Sequence, residues 1–317
     1  MISLEAVYVI AGVTFGAFAA AAALNRLHPK RFANAAFYGL LAISFLFGSK
    51  LSDFANGILA LGLIVVGGAW RTGRGPVKTT SDAERAERAS RYKSFLFVPA
   101  LIAPFSAFAG STVLKNLSLG GKPLVDPQAA TLVWLFAGIM VGLALTMVAF
   151  RPPLLAPVTE GGRLVDTIGW ALLLPQMLAA LGSVFTVSGV GTAVGRVFST
   201  YAPITTPRTA VVVFGLGMVA FTIIMGNAFA AFPVMMAALG LPLVVQRFGA
   251  NVVAVSALGM LTGFCGTLLT PMAANFNLVP ATLLELDDRY AVIRAQAPTA
   301  LLLMAGNLLL LCLLVYR

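Results

Sequence analysis

Apolar runs about twenty residues long, the length a helix needs to cross the hydrocarbon of a bilayer, follow one another along most of the chain. Residues 4–24 are the first. Residues 33–70 stay apolar long enough to cross twice, and the polar interruption Ser49-Lys50-Leu51-Ser52-Asp53 falls where a tight turn between two spans belongs. A fourth span is expected at 94–114, carrying Pro99 and Pro104. After a connection from Lys115 to Pro127, a fifth is expected at 129–150, closed by Arg151-Pro152-Pro153. Between the third and fourth spans, residues 81–91 (SDAERAERASR) alternate in charge behind an N-cap serine, which predicts a short solvated helix.

From about residue 164 the pattern changes. A continuous helix over 166–201 would be about 54 Å long, against a hydrocarbon core of roughly 30 Å, so it has to break. The natural place is Thr186-Val187-Ser188-Gly189-Val190-Gly191-Thr192. A second interruption, Gly226-Asn227, is followed by Phe232-Pro233 and Gly240-Leu241-Pro242; two crossings, or one crossing and a re-entrant hairpin, both fit there. The third and densest runs from Gly263 to Asn277 and contains Gly266, Thr267, Thr270, Pro271 and Asn275. The expected fold is all-α and polytopic, a single integral membrane domain over 1–317. It has about 9–10 membrane segments: five spans in 1–150 and discontinuous or re-entrant helices in 164–317.

Composition agrees. Of the 317 residues 59% are hydrophobic and 10% charged, against about a quarter charged in soluble domains. The net charge of +10 is explained by position. Loop 26–31 (Arg26, His28, Lys30, Arg31) and loop 71–93 (Arg71, Arg74, Lys78, Arg85, Arg88, Arg91, Lys93) fall on one side of the double crossing. The positive-inside rule makes that side cytoplasmic and the N-terminus external. Trp70 and Tyr92 bracket the larger loop as interface aromatics. No aromatic platform interleaves the basic run, so a lipid surface, not nucleic acid, is the expected partner. Residues 4–24 are too long for a signal h-region and are expected to stay as a helix.

Chemistry is sparse. Cys265 and Cys312 lie in apolar segments, where no structural disulfide is expected, and His28 is the only histidine; so few ligands argue against zinc, haem or an iron–sulfur cluster, and no cofactor is expected. From Thr167 to Leu284 there is no Asp, Glu, Lys or His, and the charged residues are Arg196, Arg208 and Arg247. A buried carboxylate relay for proton pumping is therefore unsupported. Any coupling ion would more naturally be sodium, held by backbone, Ser, Thr and Asn oxygens. An enzyme would need a base near Ser188 or Cys265, and none is near in sequence, so no enzymatic activity is expected.

Unwound backbone survives in a membrane only where it lines a cavity or is packed in protein, and paired broken helices mark substrate sites in secondary transporters. The candidate substrate-binding residues are therefore Asn227, Thr267, Thr270, Asn275 and Asn277, with Gly263 and Gly266. Ser188, Gly189, Gly191 and Thr192 would shape a facing unwound segment. The competing explanation is that Gly, Ser and Thr serve close helix packing with no ligand, which would fit a non-transporting accessory or scaffold subunit.

The stretch Met225-Gly226-Asn227-Ala228-Phe229-Ala230-Ala231-Phe232-Pro233-Val234-Met235 and the segment from Gly263 to Ala300 resemble the larger subunit of bacterial two-subunit 5-oxoproline (pyroglutamate) transporters, a family long catalogued only as a domain of unknown function. The resemblance is specific over 164–317 and looser before. It implies a multi-pass protein of the bacterial inner membrane that works with a smaller membrane subunit, carries a small carboxylate by alternating access, and is distantly similar to the ion-transporter superfamily. It brings no residue roles of its own.

Overall fold

Helix α1 (Leu4–Leu24) occupies the first apolar run, and α2 (Arg31–Phe47) and α3 (Asp53–Gly68) divide the second at its polar interruption. The turn between α2 and α3 is set by Ser52, whose hydroxyl accepts the Ala55 N–H at 3.3 Å. These are features of a computed structural model, which describes residues 2–69, 72–73, 80–114, 117–119, 122–201 and 204–316. Trp70, Arg71, Arg74, Lys78 and Lys115 lie outside the described residues.

The charged segment forms α4 (Asp82–Tyr92). It opens with a reciprocal cap: Ser81 Oγ accepts the Glu84 N–H at 3.3 Å, and Glu84 Oε2 accepts the Ser81 N–H at 3.0 Å. A tight helical turn, Lys93–Phe97, leads into α5 (Val98–Thr112), which pairs with α6 (Ala130–Phe150). The Ser106 hydroxyl donates to the Trp134 carbonyl at 2.6 Å, tying the pair together. Their connection carries a minimal antiparallel hairpin, Ser118–Leu119 with Lys122–Pro123. Helix α7 (Ala156–Ile168) fills a stretch that the apolar pattern leaves mostly unassigned.

The remaining helices are α8 (Leu174–Val187), α9 (Val190–Tyr201), α10 (Pro207–Met225), α11 (Ala228–Met235), α12 (Val252–Leu268), α13 (Ala274–Leu283) and α14 (Ala291–Leu314). A wide π-helical stretch, Met236–Arg247, continues α11 and contains Pro242. Its wider turns accommodate a proline that an α-helical ladder rejects.

Seven helical stretches among the described residues are long and apolar enough to cross a membrane, and α2, α3 and α12 are shorter apolar helices. Those three have 17, 16 and 17 residues, about 25 Å at 1.5 Å per residue, near the lower limit for spanning. The chain is thus an all-α polytopic membrane protein. Its outer surface is apolar, with Leu302, Val148 and Phe105 each more than 60% exposed, as a lipid-facing exterior requires.

The chain falls into two compact units, Met1–Gly169 and Trp170–Arg317. The second has a core of Val211, Phe214, Met218, Met235, Leu239, Val255 and Leu311, so α10 and the segment Ala228–Arg247 are half buried, whereas α14 is mostly exposed. Against this core α8 and α9 lie along a glycine seam. A Cβ added to Gly182 would sit 3.0 Å from Ala230 Cα, one on Gly191 3.1 Å from the Val234 oxygen, and one on Gly195 2.8 Å from the Ala238 oxygen.

Candidate functional site

Two of the three sequence interruptions meet within the second unit. Helix α10 ends because Gly226 adopts a left-handed φ of +76°, the usual helix-stop conformation. Asn227 then restarts the chain as the N-cap of α11, its Oδ1 accepting the Phe229 N–H at 2.7 Å. Helix α12 starts on a similar device, Asn251 Oδ1 accepting from the Val253 and Ala254 amides at 2.9 and 3.2 Å. It stops at Leu268, shortly before Pro271, which has no N–H to continue the ladder.

The two breaks touch directly. The Thr270 hydroxyl donates to the Ile223 carbonyl at 2.9 Å and accepts the Met272 N–H at 3.2 Å. A Cβ on Gly226 would lie 2.6 Å from the Met272 oxygen, so glycine is required there both by φ and by backbone approach.

Pro271 strands the Thr267 carbonyl four residues earlier, and a buried side chain takes up that acceptor. Asn277 Nδ2 donates to the Thr267 oxygen at 3.0 Å and to the Thr270 oxygen at 2.6 Å. Gln296, reaching in from α14, donates through Nε2 to Asn277 Oδ1 at 2.5 Å and to the Leu268 oxygen at 3.0 Å. The break is thus held open by side-chain amides.

Around it are buried oxygens with no hydrogen-bond partner among the described residues: Thr222 Oγ1, Thr267 Oγ1 and Asn275 Oδ1. A helical threonine ordinarily bonds its own i−4 carbonyl, as Thr262 does to Leu258 at 2.7 Å, so unpaired Thr222 and Thr267 depart from the local rule. Gly263 and Gly266 let α12 approach α10 at this point. Their added Cβ atoms would be 3.3 Å from Thr222 Oγ1 and 2.6 Å from the Val219 oxygen. Helix α13 begins without a side-chain cap.

Of the sequence-predicted residues, Asn227, Thr267, Thr270, Asn275, Asn277, Gly263 and Gly266 therefore lie on the elements of this crossing. Ser188, Gly189, Gly191 and Thr192 do not join it. They form the α8–α9 corner, where Gly189 has a φ of +72°, Ser188 and Thr192 are exposed, and Gly191 packs in the glycine seam. Sequence reasoning missed Thr222 and Gln296. Thr222 lies one helical turn before Gly226, a signal that could have been read; the reach of Gln296 from α14 leaves no trace in local sequence.

This arrangement defines a multi-pass helical membrane protein in which two helices break and cross inside protein. The family described as "Protein of unknown function (DUF979)" matches residues 5–316, and the chain belongs to it. No curated protein and no solved structure matches the chain.

Proposed function

We propose that this chain is the larger subunit of a two-subunit secondary transporter in the bacterial inner membrane, carrying a small organic anion, with 5-oxoproline the foremost substrate. The observation that carries the proposal is the contact between two unwound segments, one at Gly226-Asn227 and one at 269–273, surrounded by unpaired neutral oxygens. Broken helices that cross in a membrane interior are how secondary carriers present backbone ends to a solute. The uncapped start of α13 offers amide donors to a carboxylate. The hydroxyls of Thr222 and Thr267 and the amide of Asn275 suit a lactam, which needs both a donor and an acceptor. Asn227 Oδ1, the Thr270 hydroxyl and Asn277 Nδ2 bond the backbone of the breaks.

Uptake of labelled 5-oxoproline into vesicles containing this chain and the smaller subunit tests the reading. Thr267→Val and Asn275→Ala, with expression intact, are expected to lower uptake about tenfold each, the effect of losing one hydrogen bond worth about 1.4 kcal/mol. Wild-type vesicles that take up neither 5-oxoproline nor another small carboxylate would refute it. Uptake that persists with the smaller subunit alone would assign this chain an accessory role.

A further inference from the structure

The first unit buries a polar cluster of its own, at a place where the sequence suggests only a basic loop. His28 is 3% exposed, Tyr38 1% and Asn34 fully buried. Helix α7 brings Asp166 to them. Asp166 Oδ1 accepts the Asn34 Nδ2–H at 2.7 Å and also the Tyr38 hydroxyl. Asn34 clamps the backbone of Gly73 from both sides, donating to its oxygen at 3.0 Å and accepting its N–H at 3.2 Å.

His28 is oriented by its own loop. Its Nδ1 accepts the Lys30 N–H at 3.0 Å, so the hydrogen of the neutral ring is assigned to Nε2; Asn34 Nδ2 lies 3.3 Å from Nε2 but directs its two hydrogens to Gly73 and Asp166. Nε2 faces Asp166 Oδ2 at 3.6 Å, and among the described residues no hydrogen bond reaches that oxygen. Two neutral donors therefore satisfy one carboxylate oxygen and leave the other open.

The cluster adjoins a cavity of about 240 Å³, bordered by Asp166, His28 and Tyr38, and by Asn25, Thr159 and Arg163. Arg163 Nε pairs with Glu160 at 2.7 Å, and among the described residues no ion pair joins Arg163 to Asp166. Among the described residues, the titratable and charged groups facing Asp166 are His28 from the α1–α2 connection, Tyr38 from α2, and the Arg163–Glu160 pair on α7. Helix α1 lends the cavity Phe18, Ala21 and Ala22.

An ionisable side chain held largely out of solvent among polar partners in a membrane protein is a reason to look for function. We propose that Asp166, framed by His28, Asn34 and Tyr38, is a proton-binding site, and that its proton is the ion exchanged during transport. The second clause rests on the transport function proposed above; the first stands independently. In the step itself, a hydronium ion in the cavity gives up a proton, an O–H bond forms on Asp166 Oδ2, and water remains. Release reverses it. Neutralising the carboxylate removes the charge that the Nε2–H of His28 faces, which ties proton occupancy to the contact between α7 and the α1–α2 connection. The expectation of sodium came from the absence of carboxylates after Thr167, and Asp166 lies one residue outside that stretch.

Asp166→Asn separates proton binding from scaffolding, because the amide oxygen can still accept from Tyr38 and Asn34. Potentiometric titration of the purified chain between about pH 8 and about pH 5, above the ordinary carboxylate range, is expected to show one proton more on the wild type than on Asp166→Asn. Equal counts would overturn the site. In sodium-free proteoliposomes with the smaller subunit, an inward proton gradient is expected to accelerate 5-oxoproline uptake. Asp166→Asn should abolish that acceleration while substrate counterflow continues. Acceleration that survives Asp166→Asn, or uptake driven only by a sodium gradient, would overturn the coupling role. A proton difference without any wild-type uptake or counterflow would leave the site standing and defeat the transport reading. Should Asp166→Asn fail to assemble, Asp166→Glu supplies the comparison: it is expected to keep the gradient response with a displaced pH profile, and an unchanged profile would count against Asp166.

Discussion

Asn277→Asp is expected to destabilise the second unit more than Asn277→Ala, although aspartate is nearly the same shape. Asn277 is fully buried, and both hydrogens of its amide are aimed at the Thr267 and Thr270 carbonyls. Alanine leaves those two acceptors, and one donor direction of Gln296, without partners. At about 1–3 kcal/mol for each unsatisfied buried group, less whatever repacking recovers, the loss is about 3–5 kcal/mol. Aspartate adds oxygen lone pairs pointing at two carbonyl oxygens and a buried charge with no cation beside it among the described residues. Cys265 gives a direct readout. Its thiol is buried on α12, so in a Cys312→Ser background its labelling rate by a thiol reagent on heating reports opening of this unit. The expected order of labelling onset, lowest temperature first, is Asn277→Asp, Asn277→Ala, wild type. If both variants open at the wild-type temperature, the amide does not hold the break.

The second large effect is at Gly226. A left-handed φ costs a non-glycine residue about 1–2 kcal/mol, and asparagine tolerates that conformation better than most. The neighbouring Met272 carbonyl adds a second, steric demand, since a Cβ would lie 2.6 Å from its oxygen. That atom is backbone and cannot swing aside. Gly226→Ala is therefore expected to abolish uptake and lower the Cys265 opening temperature, and Gly226→Asn is expected to rescue neither. Rescue by asparagine would show that φ alone makes glycine necessary, and that the two broken segments do not need to be this close.

How much of this could be read from sequence follows from the range of each interaction. The bounds of α1 and α6 are visible as uninterrupted apolar runs, and the cap on α4 as a serine three residues before a glutamate. The breaks at Gly226-Asn227 and around Pro271 are equally local, because glycine φ and the missing proline N–H act within one turn. That these two breaks cross, while the Ser188-Gly189 corner joins neither, depends on contacts such as Thr270 with Ile223, 47 residues apart. Nothing in either segment specifies that pairing. The least legible feature was the Asp166 cluster. Asn34 and Asp166 are 132 positions apart, and His28, between charged neighbours and next to a proline, has the local look of a solvated loop residue. Burial was imposed on it by α7, whose helix the apolar pattern did not isolate.

The seam that seats α8 and α9 has an energetic consequence of its own. With hydrogen in place of side chains at Gly182, Gly191 and Gly195, cohesion there comes from dispersion between main-chain atoms near contact distance, which fades steeply over the first ångström of separation. A single methyl at Gly195 would lift the local interface and forfeit attraction that Gly191 also shares. Penalties along the seam must overlap: in a double-mutant cycle, Gly191→Ala with Gly195→Ala costs less than the sum of the two alone, by an amount expected for neighbours acting as one surface.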